Sequence, residues 1–135
     1  MYVLKSYPFN KEGLSELKKL EPFPSVYIIE NGNEIYIGEG IDPVKRLKTH
    51  LRDKKVKSPA KMHIISNYDF NVSVAKDLES YLIQLIKAEG KYKMINKDQL
   101  GIRHNYYMKN SYQQKFNHIW KNLIEIGIGH SSEEE

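Results

Sequence analysis

Two short segments rich in β-branched and aromatic residues flank an Asn-Gly pair near the start of the chain. These segments are residues 25–30 (SVYIIE) and 33–38 (NEIYIG), and Asn31-Gly32 lies between them. This pattern predicts a β-hairpin with a two-residue loop. A loop centred on Asn31-Gly32 pairs Tyr27 with Tyr36, so both phenols would lie on one face of the sheet. They are either core packing or a functional site.

Apolar residues recur at helical spacing in several later segments. The clearest start is Asp42-Pro43, with Asp42 as N-cap and Pro43 in the first turn. A capping-box sequence begins the last helix at Ser111, and Gly127 ends it. The predicted helices cover about residues 10–20, 42–53, 73–87 and 111–127.

The segment Met62–Ser66 is short and branched enough for a third strand, and residues 91–98 form a loop or a short strand. The order of elements predicts an α+β fold. We expect a small, mostly antiparallel three-stranded β-sheet flanked by helices, with an added C-terminal helix.

A length of 135 residues suits one domain. We expect a single domain over residues 1–130, with a core at about 24–97, a helical addition at 98–127 and a tail or linker at 131–135. The absence of cysteine excludes disulfides, thiolate nucleophiles and cysteine-based zinc sites. No apolar run is long enough to span a membrane and no secretory signal is present, so we expect a cytoplasmic protein without a membrane partner.

Positive charge is concentrated between Asp42 and Lys61. The net charge of the chain is +4, whereas this segment holds eight Lys or Arg against two Asp. Such a basic stripe is typical of proteins that bind a polyanion, although a solvated helix face would have the same composition. A second basic and aromatic segment, Arg103 to Lys109, could bind nucleic acid or pack in the core. The candidate phosphate contacts in the stripe are Lys45, Lys48, Arg52, Lys54 and Lys55.

Arg46 and His50 are one helical turn apart, on the side away from the apolar stripe of their predicted helix. Arginine can grip a phosphate through two parallel donors, and histidine exchanges protons near neutral pH. An exposed Arg-His pair with no function is the alternative.

Glu79 falls within the apolar arc of the predicted helix at 73–87. A carboxylate that points toward a core needs a cation or several donors. The partner could be Arg46, as a simple ion pair, or a divalent metal. The setting would suit magnesium, which often takes one carboxylate together with phosphate oxygens and waters.

Taken in order, these residues resemble the GIY-YIG nuclease family. The resemblance rests on Ser25-Val26-Tyr27, Tyr36-Ile37-Gly38, Arg46 with His50, Glu79 and Asn96, and it covers about residues 24–97. Ser25-Val26 stand where the first family triplet has Gly-Ile. The chain is also similar to a bacterial group in which such a module precedes a P-loop ATPase or helicase-like domain.

The resemblance implies a metal-dependent endonuclease that hydrolyses phosphodiester bonds of DNA, duplex or branched, with RNA as an open alternative. Glu79 would hold one Mg²⁺ or Mn²⁺, Arg46 would stabilise the phosphate, and Tyr27 would be the general base. Tyr36 and His50 would complete the proton network. Asn96 would support the site, and Gly38 would let the nucleic-acid backbone approach.

Two other functions are consistent with the residues. A non-catalytic nucleic-acid-binding module would keep the fold and the basic stripe without turnover. A protein-interaction domain would instead use the region of Tyr106 and Tyr107, and would not bind DNA.

Overall fold

The structure is a computed structural model that describes residues 2–19, 24–67, 71–96 and 109–129, with only the backbone for 109–112. Five strands and four helices are present in these ranges. Their order is β1 (Val3–Pro8), α1 (Lys11–Leu17), β2 (Ser25–Glu30), β3 (Glu34–Gly40), α2 (Pro43–Arg52), β4 (Lys61–Ser66), α3 (Val72–Glu89), β5 (Lys93–Met94) and α4 (Lys109–Glu125).

The described strands form one mixed sheet in the order β1-β4-β2-β3-β5. The first three neighbouring pairs are antiparallel, and β5 pairs with β3 in parallel. The α+β class is therefore confirmed, but the prediction of three antiparallel strands is wrong. β1 escaped prediction because it is an edge strand with exposed Val3 and Lys5 and lacks a clean apolar alternation. β5 has only two residues, too few for a periodic signal.

The hairpin forms, but its register differs from the predicted one. Tyr27 lies opposite Gly38, and Tyr36 lies opposite Ile29. The loop is centred one residue later, because the side-chain oxygen of Asn31 accepts hydrogen bonds from the backbone N–H of Asn33 (2.9 Å) and of Glu34 (2.7 Å). Gly32 has a φ of 89° and occupies the first central position, where type II′ turns carry glycine. A shift of two residues in the pairing keeps both phenols on one face.

Helices cover both faces of the sheet. One face packs against α1 and α2, and its core includes Tyr27, Ile29, Leu47 and Met62. The opposite face carries Ile28, Ile35 and Ile37, which pack against α3 and α4. Full burial of each such aliphatic side chain contributes about 1.5–3 kcal/mol. Ile28 and Ile35 thus face away from the two phenols.

Side chains cap the helices as the sequence predicts. Asp42 accepts a hydrogen bond from the backbone of Lys45 (3.4 Å) at the start of α2, and Asn10 accepts one from Gly13 (2.9 Å) at the start of α1. α4 begins at Lys109, two residues before the predicted capping box. None of the helices in the described ranges is both long and apolar enough to cross a membrane.

α3 is more buried than its sequence pattern suggests. Asp77 and Ser80, which the pattern places on a polar face, are 5% and 7% exposed. The reason is that α3 packs against the sheet on one side and against α4 on another. Only a narrow part of its surface therefore faces water.

Candidate active site

Three rings cluster on the face of the sheet that packs against α2. The hydroxyl of Tyr27 lies 3.1 Å from Nε2 of His50. The rings of Tyr36 and His50 are 4.7 Å apart, and the two phenols stack with centroids separated by 6.3 Å. The prediction that both tyrosines share one face is confirmed. Tyr27 is fully buried, however, whereas Tyr36 is half-buried.

His50 lies on the buried side of α2 together with Leu47, and it is only 7% exposed. Arg46, one turn earlier, is exposed. The prediction that Arg46 and His50 form a pair away from the core is therefore wrong for His50. Its imidazole packs against the rings of Tyr27 and Tyr36 instead. Burial lowers the pKa of His50, and the charges of Lys55 and Arg46 lower it further. The imidazole is thus neutral near pH 7.

The absence of a side chain at Gly38 leaves room for the ring of Tyr27. The two residues lie directly opposite each other in β2 and β3. A Cβ atom on Gly38 would collide with the phenol of Tyr27, including its hydroxyl oxygen. The space that the missing side chain of Gly38 leaves open is therefore filled by the ring of Tyr27.

Asn96 extends the short parallel ladder at the edge of β3. The backbone N–H of Ile95 donates to the carbonyl of Ile35 (2.8 Å). One residue later, the Asn96 side chain accepts a hydrogen bond from the N–H of Ile37 (2.9 Å) and donates one to its carbonyl (2.6 Å). The amide thus replaces one further strand residue and fixes β3 immediately before Gly38.

Glu79 is half-buried on α3, within electrostatic range of Tyr27 and Tyr36. Burial and the charge of Glu39 raise the pKa of Glu79 to about 7, although Arg46 and Lys76 pull it downward. Glu79 in turn raises the pKa of Tyr27 and of Tyr36. The carboxylate, the phenols and the guanidinium of Arg46 therefore act on one another electrostatically, as the candidate site requires.

Both phenols are held in the neutral form. Burial is the largest cause of the raised pKa of Tyr27, followed by the neighbouring Tyr36, and Arg46 opposes them. Burial also raises the pKa of Tyr36, again against the effect of Arg46. Deprotonation of Tyr27 would need additional positive charge or hydrogen-bond donation at its oxygen.

An open groove of about 570 Å³ runs past this cluster. Glu39 lies at one side of it, Arg46 and His50 line it from α2, and Val72 and Lys76 line it from α3. Its volume lies within the range that is usual for ligand-binding clefts. It combines cations with carboxylates.

Sequence reasoning missed Glu39 and Lys76. Glu39 follows Gly38 on β3, so strand alternation places it on the face opposite the phenols. The available signal for Lys76 was its position one turn before Glu79 on the same helix. Glu39 and Lys76 both line the groove, which lies between α2 and α3.

The residues present fit a divalent cation. The parts of the chain that the structure describes hold no cluster of three or more His, Asp or Glu side chains suited to a metal. Magnesium needs fewer protein ligands, since it keeps several waters and binds through one or two carboxylates plus substrate phosphate. Burial, and after it the charge of Glu39, raises the pKa of Glu79. Glu79 would hold a divalent cation, whose positive charge would favour the ionised carboxylate.

The predicted phosphate contacts occupy the outer side of α2 and the loop after it. Lys45, Lys48 and Arg52 are exposed, and Arg52 pairs with Asp53 at 3.3 Å. Lys54 is exposed as well, with a φ of 52°, and the ammonium of Lys55 lies 5.5 Å from the centre of the Tyr36 ring. The basic stripe thus reaches the ring cluster. The segment Arg103 to Tyr107 and the side chain of Lys109 lie outside the described residues.

Comparison with known families agrees with this geometry. A family model described as the GIY-YIG catalytic domain matches residues 23–93, which is more than half of the chain. The chain belongs to the GIY-YIG family. GIY-YIG domains are in general nuclease domains that act on nucleic acids and depend on divalent metals. Neither a curated protein nor a solved structure matches the chain significantly.

The GIY-YIG match includes β2, β3, α2, β4 and α3 and stops within β5. The ring cluster, Arg46 and Glu79 all lie within the matched region. β1, α1 and α4 lie outside it, so their contribution to this GIY-YIG protein must be inferred from their own contacts.

Proposed function

We propose that this GIY-YIG protein is a divalent-metal-dependent endonuclease that hydrolyses phosphodiester bonds in DNA. The observation that supports this most is the half-buried Glu79, which acts electrostatically on Tyr27, the hydrogen-bonding neighbour of His50. Hydrolysis of a phosphodiester needs a cation on the phosphate, an oriented water and an acceptor for the proton of that water. Arg46, Glu79 and Tyr27 are the groups that we assign to these tasks.

Arg46 is the group proposed to bind the scissile phosphate. Its guanidinium is exposed at the groove, where its five donors suit two phosphate oxygens at once. Negative charge increases on these oxygens as the phosphorus gains a fifth ligand. A positioned guanidinium at the groove stabilises that charge.

Glu79 would hold one Mg²⁺ or Mn²⁺, with Glu39 as its carboxylate neighbour. When bound, the ion would supply positive charge to the phosphate oxygens and to an attacking water. Arg46 and Lys76, which lower the pKa of Glu79, would favour the ionised form that binds a cation.

Tyr27 is the proposed general base, and His50 its hydrogen-bond donor. Nδ1 of His50 is buried without a hydrogen-bond partner. An unpaired N–H is costlier than an unpaired acceptor, which favours the tautomer with its proton on Nε2. This tautomer donates to the oxygen of Tyr27 and stabilises the phenolate, in the same direction as Arg46. The phenolate would then accept the proton of the attacking water.

A plasmid-nicking assay with Mg²⁺, with Mn²⁺ and with EDTA tests the proposal. We expect nicking only with a divalent metal, and a loss of at least 100-fold for Glu79→Gln. Glu89→Gln is the matched control, since Glu89 lies ten residues further along the same helix, about 15 Å along its axis. Unchanged nicking by Glu79→Gln would refute the proposed role, and parallel assays on branched DNA and RNA identify the preferred substrate.

The second candidate is a non-catalytic nucleic-acid-binding module of the same fold. The raised pKa of Tyr27 favours it, since a neutral phenol is a poor base. This candidate predicts salt-sensitive DNA binding with no cleavage under any metal. A cytoplasmic location and fusion to a P-loop ATPase or helicase-like region remain predictions from the sequence.

A further inference from the structure

Three polar side chains form a hydrogen-bonded chain on the face of the sheet opposite the candidate active site. The hydroxyl of Ser6 on β1 lies 2.7 Å from Nδ1 of His63 on β4. Nε2 of the same imidazole lies 3.0 Å from Oε2 of Glu30 on β2. His63 follows Met62, which packs on the face of Tyr27, so strand alternation places His63 on the other face. The proposed nuclease uses none of the three groups.

The carboxylate of Glu30 fixes the orientation of the imidazole. His63 and Glu30 are only 4% and 9% exposed. Oε1 of Glu30 accepts a hydrogen bond from the N–H of Gly32 (2.8 Å), so Oε2 is left for His63. The hydrogen bond with His63 is the largest cause of the lowered pKa of Glu30, which is therefore ionised near pH 7. An ionised carboxylate only accepts, so Nε2 of the imidazole carries a proton and Nδ1 of the neutral ring is the acceptor for Ser6.

Ser6 is exposed, unlike its two partners. Its hydroxyl is within hydrogen-bonding reach of a base, and a third group orients that base. This arrangement is the geometric signature of an activated nucleophile.

The backbone N–H of Ser6 points to the outer edge of the sheet. Phe9 donates its N–H to the carbonyl of Ala60 in the direction of β4 (2.9 Å), whereas Pro8 has no N–H to donate. Backbone direction alternates along an antiparallel ladder, so Ser6, two residues before Pro8, also points away from β4. β1 is the outermost strand of the sheet in the part of the chain that the structure describes. The N–H of Ser6 is therefore placed to donate to an oxyanion beside its own hydroxyl.

We propose that Ser6 is a nucleophile for small activated esters, with His63 as its general base and Glu30 as the residue that positions His63. This activity is separate from the proposed nuclease and uses the other face of the sheet. It also gives a function to β1, which lies outside the GIY-YIG match.

The reaction follows from these positions. As the hydroxyl oxygen of Ser6 bonds to the carbonyl carbon of the ester, its proton passes to Nδ1 of His63. The bond from that carbon to the leaving oxygen then breaks, and Nδ1 gives the proton to the leaving oxygen, which departs as an alcohol. Water attacks the acyl-serine by the same route, releasing the acid and restoring the hydroxyl of Ser6.

The surroundings limit the substrate to esters with a good leaving group. One backbone N–H serves the oxyanion, and the loss of a single such donor costs about 10²–10³-fold in rate. A groove of about 440 Å³ is lined by Glu30 and Pro8, and the side chain of Pro8 lies on the same face of β1 as that of Ser6. This groove would hold the organic part of the ester.

The test treats the folded, full-length protein with a fluorophosphonate, which transfers a phosphonyl group to activated serines and releases fluoride. We expect the intact mass to increase by one phosphonyl group, with the modification on Ser6 by peptide mapping, and no increase for Ser6→Ala. Glu30→Gln keeps the shape of the side chain and should slow labelling at least tenfold. Ser15→Ala is the matched control and should be labelled like the parent, since Ser15 is exposed on α1 and has no hydrogen-bonded histidine among the described residues. Hydrolysis of p-nitrophenyl acetate should follow the same order.

A purely structural network would give a different result. The three hydrogen bonds would then hold β1, β4 and β2 together, so that Ser6→Ala lowers the melting temperature while the parent takes up no label. That outcome would overturn the proposal. So would labelling of Ser15 as fast as Ser6, equal labelling of the urea-unfolded parent, or an unchanged labelling rate in a Glu30→Gln variant with the circular dichroism of the parent.

Discussion

The hydroxyl of Tyr27 lies 3.1 Å from Nε2 of His50, and both side chains are buried between the sheet and α2. The contact joins residues that are 23 positions apart in the chain. It also joins the hairpin to the helix that carries Arg46. A contact this deep fixes the phenol in one orientation, which a general base requires.

Replacing Tyr27 by Phe should lower the rate of single-turnover plasmid nicking by about 10²–10⁴-fold, the range expected for a lost general base. DNA affinity, measured by anisotropy, should stay within about twofold because the buried hydroxyl is not one of the proposed phosphate contacts. Tyr81→Phe is the control. It removes a hydroxyl that donates to Asn117 at 2.6 Å on the other side of the sheet, and it should leave nicking unchanged.

If Tyr27 and His50 act as one unit, their effects on nicking will not add. His50→Ala alone should slow nicking substantially, and Tyr27→Phe should then cost much less in the His50→Ala background than in the parent. Fully multiplicative effects in this double-mutant cycle would mean that the 3.1 Å contact has no catalytic role.

Local signals in the sequence were sufficient for much of this site. Tyr27 and Tyr36 were placed on one face because strand alternation survives a register error of two residues. Asp42-Pro43 predicted the start of α2, since a side-chain cap and a fixed φ act within one turn. The position of Glu79 in an apolar arc predicted a half-buried carboxylate.

The remaining features depend on contacts between distant segments. His50 is buried because it packs against the phenols of the hairpin. The apolar pattern of its own helix does not indicate this burial. The hairpin loop is centred one residue later because the Asn31 side chain replaces a backbone acceptor. Asn96 carries no recognisable pattern, and its function becomes visible only when its amide meets Ile37.

Gly38→Ala should damage both stability and activity, because the new methyl group would overlap the ring of Tyr27. Overpacking of this kind costs about 1–3 kcal/mol. The displaced phenol should also reduce nicking at temperatures where the variant is folded. Gly40→Ala, on the same strand, has no atom within 4 Å of the new Cβ and is the control. Urea unfolding followed by circular dichroism measures the difference, and equal stability of the two variants would contradict the close packing.

Asn96→Ala should destabilise the edge of β3 by about 1–3 kcal/mol, since it leaves the N–H and the carbonyl of Ile37 without their partners. Native-state hydrogen exchange should show faster exchange of the Ile37 amide, with little change at Ile28 in the adjacent strand. Asn33→Ala, at the exposed hairpin loop, should change stability by less than about 0.5 kcal/mol. An Ile37 amide that remains equally protected would refute the bridging role of Asn96.

The pKa of Glu79 predicts how stability without metal depends on pH. In the folded protein this pKa is about 7, against an ordinary value of 4.5. The folded state therefore binds a proton more tightly than the unfolded chain, so this residue lowers stability as pH rises from about 4.5 to about 7. Glu79→Gln removes the penalty. After allowance for the partial exposure of Glu79, we expect the variant to be more stable by about 1–2 kcal/mol at pH 8 and equal at pH 4.

Urea unfolding of both proteins in EDTA at pH 4, 6 and 8 measures this difference, with ionic strength held constant. Saturating Mg²⁺ should raise the melting temperature of the parent at pH 8, since an ion that binds only the folded state stabilises it. It should have little effect on Glu79→Gln. If the stability difference between the two proteins is the same at all three pH values, ionisation of Glu79 does not destabilise the folded protein, which would contradict its raised pKa.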